Sequence, residues 1–76
     1  MNIQPKNTKQ ILYYADLICE KIDLQTDAFI KRIEAVKAGD WQRVEFIEEM
    51  MLNPLGVQIV YLANKTISLF PKDSND

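Results

Sequence analysis

The chain contains no histidine and only one cysteine, Cys19, and these two shortages exclude several kinds of site. A single cysteine cannot form an internal disulfide, and a structural zinc finger needs four cysteine or histidine ligands. Without histidine, neither a serine hydrolase triad nor a histidine-activated cysteine nucleophile can be assembled. We therefore predict no catalytic residues, no metal and no cofactor, and we expect that the protein is not an enzyme.

Glycine and proline are also scarce, with two and three residues among 76. Long loops and a glycine-rich phosphate loop are therefore not expected. No run approaches the roughly 20 apolar residues of a membrane span, and the N-terminus lacks the apolar stretch of a secretory signal. Together with the lone cysteine, these features predict a cytoplasmic protein that does not contact a membrane.

The net charge is only −2, and no basic patch that nucleic-acid binding would require stands out. A helix, a glycine turn and a second helix can be traced around Gly39, which makes a small helix-turn-helix DNA-binding protein one alternative. The second helix of that outline presents Gln42 and three glutamates where a recognition helix carries basic or amide side chains. Nucleic acid is therefore disfavoured as a partner.

Apolar residues recur with helical spacing along most of the chain and predict an all-α fold. We expect four helices, at approximately 9–22, 24–38, 41–52 and 54–70, followed by a polar, frayed tail at 71–76. Short connections between successive helices favour antiparallel neighbours. The sequence therefore predicts a single small domain that folds as a compact antiparallel four-helix bundle. A homodimer is a further source of stability, because a core of this size is marginal on its own.

The expected helix boundaries depend on capping residues. Gly39 is expected to end the second helix in the left-handed conformation, and Asp40 is the expected N-cap of the third. Thr26 is the N-cap candidate of the second helix, and Asn53-Pro54 resembles a start signal for the fourth. The connection IDLQT between the first two helices has neither glycine nor proline, so a continuous bent helix is the alternative there.

The residues expected in the core follow from the same periodicity. Cys19 falls on the apolar stripe of the first predicted helix, so a buried and inert thiol is expected. The expected core faces of the second and third helices contain Phe29, Ile30, Ile33 and Val36, and then Val44, Phe46, Ile47, Met50 and Met51.

Three glutamates, Glu45, Glu48 and Glu49, share the face of the third predicted helix that lies opposite its apolar arc. Trp41 and Leu52 fall among them, although the core does not need them there. Interfaces concentrate binding energy in tryptophan, tyrosine and arginine. We therefore predict a partner-binding acidic face with two apolar anchors, and a merely solvated face is the alternative.

Tyr13 and Leu17 fall on the polar side of the first predicted helix and are the second set of candidate contact residues. The alternative is that a neighbouring helix of the bundle covers them. The predicted function is a small protein-binding regulator of the inhibitor, immunity, antitoxin or adaptor type, in a bacterial or phage setting. Its partner would be another protein, and a homodimer could use the same apolar residues.

An E-x-x-E pair at Glu45 and Glu48 supports a different alternative, because two carboxylates on one helix face can hold Mg²⁺. Helical nucleotide pyrophosphatases use such a pair followed by an E-x-x-D downstream. In this chain the E-x-x-D, from Glu20 to Asp23, comes first, so the order is reversed. A metal-dependent nucleotide-handling enzyme is therefore kept as the alternative to a binding protein.

Overall fold

The computed structural model describes residues 7–70, which form two long helical rods joined by one tight turn. Helix α1 (Thr8–Lys37) is followed by α2 (Trp41–Ile47), a π segment (Glu48–Leu52) and α3 (Asn53–Leu69). The last three elements run on without a break and form one bent helix that packs antiparallel to α1. Within these residues, no helix has both the length and the apolar content that crossing a membrane requires.

The predicted four-helix bundle is wrong, because two of its expected helix breaks are helical. The connection IDLQT lies inside α1, where Thr26 caps nothing and no glycine or proline interrupts the hydrogen bonds. The continuous helix that was the alternative at this point is the observed structure. The helices expected at 41–52 and 54–70 are likewise joined, and α3 ends at Leu69. The tail predicted at 71–76 lies outside the described residues.

The expected break at Asn53-Pro54 is accommodated by the π segment. In a regular α-helix, Pro54 would lack its hydrogen bond, and its ring would clash with the carbonyl group four residues earlier. Here the N–H group of Asn53 donates to the carbonyl oxygen of Glu48, five residues back, so the turn before the proline is wider. The helix therefore continues past Pro54 instead of ending.

The turn between the rods is built as the sequence predicts. Gly39 has a φ of 71°, and its N–H group donates to the carbonyl oxygen of Val36 at 3.0 Å. The N–H group of Asp40 reaches the carbonyl oxygen of Ala35 at 2.9 Å, which completes a Schellman motif. The Asp40 carboxylate then accepts a hydrogen bond from the Arg43 N–H at 3.2 Å, so the expected N-cap is confirmed.

The seam between the rods changes in character along α1. Near the turn, Ala28 and Ala35 are buried, and Lys21, Gln25 and Arg32 are half-buried. Farther from the turn, larger side chains are half-buried at the same heptad positions, namely Ile11, Tyr14 and Ile18. The second rod contributes apolar groups, and its buried residues are Val44, Ile47 and Leu62. Alanine lets the two backbones approach closely near the turn, where the larger Phe29 and Ile33 lie outside the seam.

Several residues that the sequence predicts in the core are therefore exposed. On α1, Cys19 and the four residues Phe29, Ile30, Ile33 and Val36 lie at the surface. Phe46 and Met50 of the second rod are also exposed. The physical reason is the number of neighbours, because a helix in a bundle packs against two others, whereas each rod here packs against one.

The outline of the chain is correspondingly elongated. Its principal extents are 57 × 21 × 16 Å, and its radius of gyration is 17.3 Å. A compact domain of this length has a radius of gyration of about 11 Å. Among the described residues, sixteen large apolar side chains are exposed and only five residues are buried.

One ion pair crosses the seam near the turn. The guanidinium group of Arg32 places Nε and Nη2 each 2.7 Å from Oε2 of Glu48. A second pair, Lys31 with Asp27 at 3.2 Å, joins two residues of α1 and does not bridge the rods.

We expect Gly39→Ala to lower the free energy of unfolding by about 1–2 kcal/mol, because an L side chain is strained at a φ of 71°. No atom lies within 4 Å of the added Cβ, so the loss reflects backbone strain alone. The matched variant Gly39→Asn should lose less, because asparagine tolerates this conformation. Urea unfolding measures both, and equal stability of the alanine variant and the wild type would contradict the assigned turn.

A double-mutant cycle of Arg32→Gln and Glu48→Gln should give a coupling energy of about 0.5–1 kcal/mol, because both side chains are more than a third exposed. Added salt should reduce this coupling. The control cycle on Lys31 and Asp27 should give about 0.3–0.5 kcal/mol, the usual value for such a pair on one helix. Absence of coupling between Arg32 and Glu48 in thermal or urea unfolding would show that the rods are not in this register.

Candidate protein-binding surface

The five main candidate residues of the sequence all lie close to the turn, on α2 and the π segment. Trp41 opens α2, and its side chain is 64% exposed. Glu45 and Glu49 are exposed, Glu48 is half-buried, and Leu52 ends the π segment. The structure therefore places them at one end of the hairpin, but it does not point them all outward.

Glu48 differs from the other two glutamates because it faces the seam. Its carboxylate accepts a hydrogen bond from Nε of Arg32 and forms an ion pair with Nη2, and the Arg32 side chain reaches across from α1. Glu48 is nevertheless 42% exposed and lines a groove together with Glu49, so its role as a contact residue stays a prediction. A helical wheel of the second rod alone could not reveal this contact, because the partner charge belongs to the other rod.

Leu52 also turns inward and packs, half-buried, against the cluster of Ala28, Ala35, Val44 and Ile47. It contributes to holding the rods together. The exposed apolar residues of this region are instead residues that the sequence analysis assigned to the core.

Phe46 and Met50 are the contact candidates that the sequence interpretation missed. They are 57% and 64% exposed and one helical turn apart, and Met50 also borders a groove that residues of α1 such as Leu24 and Lys31 line. Together with Gln42, Glu45 and Glu49 they line one shallow groove on the outer surface of the second rod. We call these five residues the tip face. The signal for them was the width of the predicted apolar arc, which exceeds what one neighbouring helix can cover.

The tip face combines an apolar side with negative charge. Two of its five residues are carboxylates, and none of the five is basic. Trp41, which precedes Gln42 at the start of α2, adds a further exposed aromatic ring close by. Such a surface offers apolar burial to a partner and Coulomb attraction to basic groups at the edge of the contact.

Tyr13 and Leu17 belong to the opposite end of the molecule. Tyr13 precedes Gly39 by 26 residues, which places it roughly 35–40 Å from the turn along α1. Tyr13 is exposed and rests its ring edge-to-face on Tyr14 at 5.6 Å, whereas Leu17 is half-buried. These two residues cannot share one small contact surface with Trp41 and the tip face.

The carboxylates of the metal-dependent alternative are not brought together. Glu20 lies 19 residues from Gly39 and Glu45 lies six, so the two E-x-x motifs are roughly 20 Å apart along the rods. Glu48 is engaged by Arg32. Within the part of the chain that the structure describes, no group of three histidine, cysteine or carboxylate side chains is arranged to hold a metal ion.

The fold therefore presents a groove near the turn that is acidic along one side, at Glu45 and Glu49, and apolar along the other, at Phe46 and Met50. Comparisons of the chain with family models, with curated proteins and with solved structures found no match.

Proposed function

We propose that this chain is a non-enzymatic protein-binding regulator of the adaptor type, which engages another protein through the tip face. The observation that supports the proposal is the exposure of Phe46, Met50 and Trp41 beside the carboxylates of Glu45 and Glu49. Apolar side chains of this size are costly to leave in water. Clustered near two charges, they have the composition of an interface centre with a polar rim.

The partner that fits this groove is an amphipathic helix with basic residues along its edges. The groove is lined by the second rod alone, and its apolar part is formed by two residues spaced one turn apart. Helix-in-groove recognition uses apolar anchors at the same spacing. Methionine adapts to different partner shapes, so Met50 suits such a contact. Glu45 and Glu49 would attract basic residues and reject an acidic helix.

The rest of the hairpin would hold the tip face away from other surfaces. α1 has 30 residues and is therefore about 45 Å long, which makes the hairpin a spacer with the contact surface at one end. We place this regulator in the cytosol, because its one cysteine is exposed and unpaired, and exposed thiols persist in reducing compartments.

A photo-crosslinking amino acid at Phe46 tests the proposed surface in the cells that encode the chain. We expect one dominant adduct with a second protein, and the mapped peptide should be helical and basic. The matched control places the same amino acid at Tyr61, which is 59% exposed on the outer side of α3, roughly 20 Å from Phe46. Equal labelling of the same partner from both positions, or no adduct from Phe46, would contradict the assignment.

Once that partner is in hand, Phe46→Ala should weaken binding about 30-fold, because truncation of an aromatic residue at an interface centre costs about 2 kcal/mol. The pair Glu45→Gln and Glu49→Gln should slow association and reduce its dependence on salt. Tyr61→Ala should leave the affinity unchanged. Isothermal titration calorimetry and stopped-flow kinetics measure these quantities, and circular dichroism verifies that each variant keeps its helices.

A further inference from the structure

Each long helix carries, in addition to its seam residues, a stripe of apolar residues that lies next to the seam. On α1 its large residues are Leu12, Ile22, Phe29, Ile33 and Val36, all exposed. Ala15, Cys19 and Thr26 complete the stripe, so that successive members are separated alternately by three and four residues. This is the heptad spacing with which one helix packs continuously against another.

The second rod carries a matching stripe on α3. Its large residues are Val60, Ile67 and Phe70, which are exposed, with Gly56 and Ala63 between them. The same alternation of three and four residues holds here. We call the large residues of both stripes the lateral face.

The two stripes lie on the same side of the hairpin. In an antiparallel pair, the positions that flank the seam on one side of the first helix face the equivalent positions of the second. The contacts agree, because Phe29 lines a groove together with Leu52 and Asn53. A second groove continues from these two residues to Gly56 and Val60. The lateral face is therefore one surface, two helices wide.

No charged residue belongs to either stripe, although Arg32, Glu48 and Glu49 line the groove beside Phe29. Every charged side chain of α1 lies at other positions of the heptad, and Asp16 and Asp23 border the stripe on its outer side. Small residues alternate with large ones along the face, with Cys19 beside Ile22 on α1 and Ala63 beside Ile67 on α3. This alternation lets the large residues of a like surface fit over the small ones, as knobs fit into holes.

The angle between the lateral face and the seam also fits a packing of four helices. On α1 the stripe lies about 100° around the helix from the seam, as heptad positions require. A helix at the corner of a square has its two neighbours at roughly a right angle. Each rod therefore has one apolar stripe for its hairpin partner and a second one directed at a further helix.

The exposed area approaches what each partner contributes to a stable complex. The eight large side chains of the lateral face are about half exposed. At up to roughly 200 Å² of surface for each side chain, the value for an aromatic residue, they present at most roughly 800 Å², which is the contribution of each partner to a standard interface.

We propose that the lateral face binds a second copy of this chain, giving a two-fold symmetric dimer of hairpins. A two-fold axis brings the same patch of both copies together, so the patch must be complementary to itself. An uncharged face with alternating small and large residues meets that condition. The lateral face shares none of its residues with the tip face, although Glu49 borders both, so the dimer can be tested independently of the proposed partner.

The same features disfavour other occupants of the lateral face. A charged protein partner would find no opposite charge on the stripes. An anionic membrane surface would require an excess of lysine or arginine along the border, whereas the border position of α1 carries Asp16 and Asp23 as well as Lys9 and Lys37. The net charge of −2 also disfavours an anionic surface.

Sedimentation equilibrium tests the dimer, which should have twice the 8.8 kDa mass of the chain. Ile33 and Leu24 offer matched substitutions, because they are isomers that are 51% and 52% exposed. They are nine residues apart, so at 100° per residue they point to opposite sides of α1. Ile33→Lys should raise the dimer dissociation constant at least about 100-fold, since it buries two charges per dimer. Leu24→Lys should change it less than about threefold, because its charge stays in water.

Cysteine reactivity provides a second test that does not require Ile33→Lys to fold. In a Cys19→Ala background, Ile33→Cys should react with a maleimide at least about tenfold more slowly in the dimer than after dilution below the dissociation constant. Leu24→Cys should react at the same rate at both concentrations. A wild-type mass of 8.8 kDa with full helicity at every concentration would overturn the proposal. So would protection of Leu24→Cys instead of Ile33→Cys, or a monomer that sediments with phosphatidylserine vesicles.

Discussion

Two antiparallel helices can bury only one stripe of each against the other, and this constraint governs the rest of the molecule. In α1 this stripe contains Ala28 and Ala35 beside polar residues near the turn, and half-buried Ile11, Tyr14 and Ile18 farther away, so only part of the apolar surface of the helix is covered. The larger side chains, such as Phe29 and Ile33, face outward. A hairpin of this kind holds its shape through the turn at Gly39 and the ion pair across the seam, while most of its apolar surface stays available for contacts with other chains.

The outward residues are sorted into two surfaces with different chemistry. The lateral face is uncharged and extends over both rods, which suits extensive contact with a like surface. The tip face is short and combines Phe46 and Met50 with two carboxylates, which suits a smaller contact with a partner of opposite charge. Because the two surfaces point in different directions, a dimer formed through one would leave the other accessible, and a two-fold symmetric pair would carry two tip faces.

Local sequence signals predicted the turn correctly but not the number of helices. Gly39 and Asp40 act through their own backbone and nearest neighbours, so their roles could be inferred from residue type alone. Asn53-Pro54 looked like a helix start because a proline normally ends the preceding helix, and a compensating π turn has no evident sequence signature. The roles of Glu48 and Leu52 depend on which side chains of the other rod they meet. Helical periodicity identifies an apolar side of a helix, but it does not determine how many neighbours cover that side.

The π segment has a consequence for how this chain tolerates changes in length. A π turn amounts to one extra residue within an α-helix, and it shifts everything after it by about 100° relative to everything before it. In this hairpin the π segment absorbs the extra residue, and Val44, Ile47 and Leu62 all reach the seam. Loss of a single residue between Glu48 and Leu52 would restore a regular helix and leave Leu62 on the side of the seam. This stretch can therefore lose one residue without turning α3 relative to α2.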